Sequence, residues 1–310
     1  MKKKRLTNGA NSPLRYPGGK GKITTFVGNV LEANGITGTY VEPFAGGAGI
    51  AINLLLAEKV ESIVINDLDD GVASFWRAVI EDTEWLIDQI EHVPFDYNQV
   101  ENNLGPEGYI KYWRDTKLRY ENNRYQSYKY KGFDFFMLNR MNVSGIVKGG
   151  PIGGTSQQNT YNITSRFNRE TLCGRILRIA ALKDRITVTS FEASDFCKRL
   201  TAGDICETND CLVFVDPPYF IQGKNLYNSY ATDEVHRCIA ESLLSQNKWK
   251  WVLTYDEAPE INELYPENAV NKYEYAITYS ANKRGKYNEY LFSSPGLYVT
   301  SFDKVHLQRF

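Results

Sequence analysis

Two periods run along the chain. Short, nearly continuous apolar runs bounded by turn residues occur at 39–44 (Thr-Tyr-Val-Glu-Pro-Phe), 60–67, 186–190, 211–215, 249–254, 273–279, 287–292 and 297–302, and each predicts a strand. Residues 50–59 instead space Ile50, Leu54 and Leu55 on one helical face, after an Ala-Gly-Gly-Ala-Gly loop at 45–49. From about 70 to 135 the pattern is helical and amphipathic, including 72–80 and 83–92. Glycines and polar residues dominate 145–165, where Gly149-Gly150-Pro151-Ile152-Gly153-Gly154 reads as a loop or hairpin tip. The strand–loop–helix–strand unit at 39–67, resumed by strands after 186, predicts an α/β fold: a doubly wound, Rossmann-like sheet split by an inserted, mainly helical domain. The expected boundaries are 1–70 and 168–310 for the α/β domain and 71–167 for the insertion. No internal repeat interrupts this order.

Composition changes little in that picture. With 42% hydrophobic and 24% charged residues in 310, the chain is ordinary globular material. No apolar run is long enough to span a bilayer, and the basic start Lys2 to Arg5 lacks the apolar segment of a secretory signal; a cytoplasmic protein without membrane contact is expected. Five cysteines without a C-x-x-C pair fit a reducing compartment, and three scattered histidines suggest no metal. Charge matters more. The net charge is −1, yet Tyr109 to Arg185 holds fifteen basic and five acidic residues. Tyr120, Tyr125, Tyr128, Tyr130, Phe133, Phe135 and Phe136 run through that basic stretch. Cations among aromatics suit phosphate neutralisation and base stacking, although a solvated helical face has the same composition.

Three motifs carry candidate chemistry. The first, Glu42-Pro43-Phe44-Ala45-Gly46-Gly47-Ala48-Gly49, follows a strand, and its glycines let a ligand approach the backbone. Asp67 stands about twenty residues later at the next strand's end, where a carboxylate accepts from ribose hydroxyls. The third glycine of a dinucleotide fingerprint is missing, so an adenosine cofactor without phosphates fits better, and S-adenosylmethionine is the expected one. The second motif, Asp216-Pro217-Pro218-Tyr219, ends the apolar run Cys211 to Val215. Two prolines fix the backbone and leave carbonyls without competing donors. The Asp216 carboxylate and the Pro217 carbonyl could then accept both hydrogens of a purine amino group, with Tyr219 stacking on the base. The third, Arg15-Tyr16-Pro17-Gly18-Gly19-Lys20, lacks the full phosphate-loop pattern and reads as an N-terminal lobe, with Tyr16 on the cofactor and Lys20 near its carboxylate or the target base.

Taken in order, P-G-G-K, V-E-P-F-x-G-x-G, an acidic strand end, a basic insertion and D-P-P-Y resemble the DNA adenine methylase (Dam-like) family of amino-methyltransferases over nearly the whole chain. The resemblance implies catalysis by Asp216, Pro217, Pro218 and Tyr219. It implies a cofactor site of Tyr16, Lys20, Glu42, Phe44, Gly46, Gly47, Gly49, Asp67, Asp195, Phe196 and Asp216. Tyr16 stands where the family often has tryptophan. Leu138-Asn139-Arg140 followed by Gly145 matches the family's recognition segment, whereas 147–162 departs from the form of GATC readers. Arg140, Lys148, Asn159 and Arg166 are the candidate DNA contacts.

The expected function is therefore methyl transfer from S-adenosylmethionine to the N6 amino group of adenine in double-stranded DNA, by base flipping. A monomer is expected, with a cognate restriction endonuclease as a partner such a chain can have. Methyltransferases acting on RNA adenine or protein glutamine share the chemistry, but the long basic insertion favours a duplex, and glutamine modifiers more often begin the tetrad with Asn. A non-catalytic DNA-binding or anti-restriction protein is the rival of another class; intact Asp67, Asp216 and Tyr219 count against it. An NAD-linked oxidoreductase is disfavoured by the incomplete glycine pattern.

Overall fold

A computed structural model describes residues 6–16, 18–98, 104–220, 232–279 and 285–310. The strands are β1 (Thr39–Glu42), β2 (Ser62–Asn66), β3 (Ile186–Thr189), β4 (Cys211–Val215), β5 (Lys250–Asp256), β6 (Asn271–Tyr279), β7 (Gly285–Ser293) and β8 (Gln308–Arg309). They form one sheet in the order β3-β2-β1-β4-β5-β7-β6-β8. The first five are parallel neighbours, while β7 runs antiparallel to both β5 and β6. Strand order reverses between β1 and β4, so the crevice beyond their carboxyl ends is the expected ligand position.

The α-helices are α1 (Thr24–Ala33), α2 (Gly49–Leu56), α3 (Asp70–Glu81), α4 (Thr83–Glu91), α5 (Gly105–Asn122), α6 (Tyr128–Met141), α7 (Arg169–Ala180), α8 (Ala193–Ala202), α9 (Asp233–Leu244) and α10 (Pro259–Leu264). Parallel strands covered on both faces must be apolar throughout, and the buried runs Ile63-Val64-Ile65 and Leu212-Val213-Phe214 obey this. On one face, Phe196 and Leu200 of α8, Ile239 and Leu243 of α9 and Ile261 of α10 pack with Val41, Val213, Leu253 and Phe292 of the sheet. Helix α2 packs against β1 and β2.

The chain divides into two compact units. One comprises Met1–Ala10, Gly18–Leu68 and Arg185–Phe310; the other comprises Asn11–Pro17 and Asp69–Asp184. The first holds the whole sheet with α1, α2 and α8 to α10; the second holds α3 to α7. Against the expected boundaries, the return to the sheet unit comes at 185 rather than 168. Helix α7 packs on α3 and α4, which explains the difference. Residues 11–17 also join the helical unit: Asn139 accepts from the Arg15 amide (2.9 Å) and donates to its carbonyl (2.7 Å).

Within the helical unit, α3 starts on an Asp69 side-chain cap that accepts from the Gly71 amide at 2.9 Å. Phe75 of α3 stacks on Phe136 of α6, with centroids 5.2 Å apart. The 149–154 segment is a turn, as its glycines predict, closed by Val143 N–H to Gly150 O (3.0 Å) and Ile152 N–H to Met141 O (2.8 Å).

Two expectations need correction. Residues 297–302 are not a strand. Leu297 and Val299 are buried in alternation, but the Tyr298 backbone is satisfied by the Asn34 side chain, which accepts from its amide and donates to its carbonyl, both at 2.8 Å. The aromatics of the basic stretch are not a uniform stacking surface: two are buried, Tyr120, Tyr125, Tyr128 and Phe133 are half-buried, and Tyr130 is exposed. Phe135 and Phe136 are core, while the hydroxyls of Tyr125 and Tyr128 donate to Asp134 and Asp82. Nearly every residue of α6 from Asp134 onward is buried, so helical packing rather than ligand stacking explains that composition.

Candidate active site

The buried strand β4 delivers Asp216 to the sheet's carboxyl edge, and the two prolines hold the chain extended there. Lys20 begins a short 3-10 helix at Lys20–Ile23. That helix is seated closely: a Cβ at Gly49 would lie 3.4 Å from the Gly21 Cα, so these two glycines permit the approach. The Lys20 ammonium then lies 2.7 Å from Asp216 Oδ1 and 2.7 Å from the Tyr219 hydroxyl. Thr254 of β5 donates to the same Asp216 oxygen at 2.8 Å. Asp216 Oδ2 receives no hydrogen bond from any described residue, and the side chain stays 23% exposed. Among the described residues none donates to the Pro217 carbonyl either. Two acceptors are thus left available on adjoining residues. Desolvation is the main cause of the raised Asp216 pKa; Glu289 adds to it, and Lys20 and Thr254 oppose it.

Behind this corner stands a group absent from the expected site. Glu289 of β7, 1% exposed, accepts from the Tyr219 hydroxyl at 2.5 Å and from the Tyr275 hydroxyl of β6. The oxygen that accepts from Tyr275, Oε2, is also 3.5 Å from Lys20 Nζ. Asp256 of β5 lies opposite Glu289 in the ladder and accepts from the Phe220 amide at 2.9 Å. No motif marks Glu289. Its one sequence signal is an acid, next to Asn288, within the strand pattern of 287–292.

Tyr219 is 5% exposed, with the Lys20 ammonium 4.9 Å from its ring centroid. The face expected to stack on a base is therefore largely covered, and the ring is anchored by its hydroxyl. Lys20 was expected near a cofactor carboxylate or the target base; the structure brings it to the Asp216 corner.

The glycine loop follows β1. Glu42 is buried, accepts from the Ala51 amide at 3.1 Å in the first turn of α2, and is pushed up to about 8, chiefly by burial. Asp67, just past β2, accepts from the Gly46 amide at 2.7 Å, tying the loop to the neighbouring strand end. Gly46 (φ 45°) and Ala48 (φ 46°) turn the chain sharply into α2. Phe44 and Phe191 lie half-buried at the core's margin. Phosphate-bearing ligands would meet Asp67 and Asp216 as repelling charges, while Glu42, neutral below about pH 8, offers no compensating cation. A group carrying a sulfonium, an ammonium and a ribose diol suits that donor set, so these residues fit S-adenosylmethionine.

Other expected positions are placed differently. The carboxylate of Asp195, in the first turn of α8, pairs with Arg199 at 2.8 Å, and the Phe196 side chain is fully buried in the core. Tyr16 is half-buried and belongs to the helical unit.

The inserted unit holds the candidate nucleic-acid contacts. Lys148, Asn159 and Arg166 are exposed. Arg140 is not: it is 8% exposed and donates to the carbonyls of Arg166 and Pro13. It braces the segment instead of reaching outward, which corrects its reading as a surface contact. Burial, with Arg15, Arg175 and Arg166 nearby, pushes Arg140 down to about 9. Arg15 donates to Asn142 O (3.0 Å), Arg175 to Ser12 O (3.1 Å) and Arg166 to the Tyr161 hydroxyl (3.2 Å). Lys111, Lys117, Arg119, Lys129 and Lys131 each pair with a carboxylate, whereas no described carboxylate pairs with Arg15, Arg140, Arg166 or Arg175.

Residues 16–280 match the family described as D12 class N6 adenine-specific DNA methyltransferase. The chain belongs to that family. It is also 24% identical over 101 residues to the Type II methyltransferase M.MjaIII of Methanocaldococcus jannaschii, a match spanning 32% of this chain and 35% of that protein. The chain thus spans about a third of that relative's length. Among solved structures, the rRNA methyltransferase aviRa of Streptomyces viridochromogenes is similar over 93% of this chain and 90% of its own, at 12% identity and a TM-score of 0.37. Within the family, Glu42-Pro43-Phe44-Ala45-Gly46-Gly47 and Asp216 to Tyr219 occupy the carboxyl edges of adjacent strands β1 and β4. Among the described residues no helix is long and apolar enough to cross a membrane.

Proposed function

We propose that this chain methylates the N6 amino group of adenine in duplex DNA, using S-adenosylmethionine, with the inserted unit holding the duplex. The carrying observation is Asp216: one carboxylate oxygen is engaged by Lys20 and Thr254, and the other remains available and partly exposed. An exocyclic amino nitrogen is a weak nucleophile because its lone pair is delocalised into the ring. Asp216 Oδ2 and the Pro217 carbonyl can each accept one of its hydrogens, which favours a tetrahedral nitrogen and frees that lone pair. Asp216 Oδ2 is also the natural acceptor for the proton the amino group loses. Lys20 and Thr254 fix the carboxylate's rotation, so catalysis is mainly positioning. Glu42, Asp67 and the loop at Gly46, Gly47 and Gly49 would hold S-adenosylmethionine, which supplies an electrophilic methyl on a sulfonium.

The basic stretch Tyr109 to Arg185, with fifteen basic residues against five acidic ones, supports an anionic partner. Arg15, Arg166 and Arg175, without described acidic partners, are better phosphate contacts than the paired lysines of α5 and α6. Location with cytoplasmic DNA, and pairing with an endonuclease as the type II relative's name suggests, belong to the same reading. Methyl incorporation into duplex DNA should fall at least about 100-fold in Asp216→Ala, with secondary structure by circular dichroism unchanged. Wild-type incorporation in that variant, or incorporation into RNA but not duplex DNA by the unaltered protein, would sink the reading. Sequencing modified bases in DNA from expressing cells identifies base and site together.

A further inference from the structure

Resting on that reading, we propose that Glu289 is a positioning residue of the transfer site: it holds Tyr219 by its hydroxyl and shares Lys20 with Asp216, so that Asp216 presents Oδ2 in one orientation. A carboxylate at 1% exposure is expensive unless its oxygens are satisfied, and a leucine would fill a sheet interior more simply. Here two tyrosine hydroxyls and one ammonium converge on it from three separate segments: the corner after β4, strand β6 and the 3-10 helix at 20–23. Lys20 touches every part of the arrangement, at 2.7 Å from Asp216, 2.7 Å from the Tyr219 hydroxyl and 3.5 Å from Glu289. Without Glu289, the Tyr219 hydroxyl loses an acceptor and Lys20 loses its second carboxylate. That hydroxyl, and the ammonium that holds Asp216, would then both be less firmly placed, and the carboxylate's rotation would be less fixed from behind.

The charged and titratable neighbours define what a variant should show. Lys20, Asp216 and Tyr219 face the group from the site, Tyr275 from β6 and Asp256 from β5; Glu42 of β1 is coupled to Asp216. Asp216 must be ionised to accept amino hydrogens, and the negative charge on Glu289 raises its pKa. Glu289→Gln removes that charge and keeps an acceptor for Tyr219. The acidic limb of the kcat profile should therefore move to lower pH.

The test compares Glu289→Ala, Glu289→Gln and Tyr275→Phe with the unaltered chain and Asp216→Ala, on duplex DNA with radiolabelled S-adenosylmethionine. Glu289→Ala should lower kcat about 10- to 100-fold while the KM for the cofactor stays within about twofold. Glu289→Gln should recover part of the loss and show the shifted limb. Tyr275→Phe should lose about threefold, as one hydrogen bond to the carboxylate goes. Unchanged kcat in Glu289→Ala overturns the proposal. So does an unshifted acidic limb in Glu289→Gln, which stays readable even if the alanine variant fails to fold. If the unaltered chain transfers no methyl to duplex DNA, the broader reading fails instead.

Discussion

One lysine ammonium serves two carboxylates at the catalytic corner, and a third carboxyl nearby is held in an unusual state. Glu42 is raised to about 8 because burial, with Asp216 adding to it, outweighs the Ala51 amide and the Tyr40 hydroxyl. Its folded pKa therefore exceeds its unfolded value near 4.5. The stability contribution of the protonated form is present below the unfolded pKa and lost as pH rises through about 8. Glu42→Gln should accordingly melt about 2–5 °C higher than the unaltered chain at pH 9 without cofactor, and show no gain at pH 4. Scanning calorimetry at the two pH values checks the sign. At this scale the motifs revealed much. Asp216, Lys20 and Glu42 were legible because each sits beside glycine or proline, whose backbone demands leave a signature, and Asp67 because it ends the next strand about twenty residues after the glycine loop. Glu289 and Thr254 were not, because they reach the corner through pairing of β5 and β7, which no local pattern encodes.

Helices α3 and α6 approach so closely that packing overrides intrinsic preference. Ordinarily alanine is better than glycine inside a helix by about 1 kcal/mol. At Gly132 a Cβ would stand 2.6 Å from the Ser74 carbonyl oxygen and 2.8 Å from the Phe75 amide nitrogen, both backbone atoms. Gly132→Ala should therefore destabilise the protein by about 1–3 kcal/mol, read as a lowered urea midpoint. A midpoint at or above that of the unaltered chain would show that the helices move apart freely. Element type was readable wherever the apolar period was long, as in α3 and α4. It failed at 297–302, where alternating burial is real but the backbone partner is Asn34. It also failed to separate packing from binding in α6, since an aromatic helix face looks the same whether it meets a core or a nucleobase.

Across the whole molecule, charge is distributed by function rather than evenly. The stretch Tyr109 to Arg185 carries fifteen basic residues against five acidic ones within a chain of net charge −1. The basic stretch ends where the sheet unit resumes at Arg185, but it is only the later part of the helical unit, whose first part from Asp69 to Gly108 is acidic. If Arg15 and Arg166 meet phosphates, each change to glutamine should lower the slope of log K against log salt by about one for duplex DNA. Cofactor affinity should stay the same. Electrophoretic shifts over a salt series give the slope, and an unaltered slope in both variants would remove these residues from the DNA contact. Arg140 differs from them, because its guanidinium is spent on the Pro13 and Arg166 carbonyls.

The ladder between β1 and β4 pairs Thr39 with Cys211 and Val41 with Val213. These partners are separated by the entire helical insertion, so the junction at the heart of the sheet joins distant parts of the polypeptide. Closing so long a loop is only logarithmically harder than closing a short one, yet non-local parallel pairing is slow. During synthesis the ribosome must deliver residue 215 before β1 can gain its second neighbour. Until then one margin of an apolar strand stays open to other chains, and the catalytic corner is assembled only once that margin has closed.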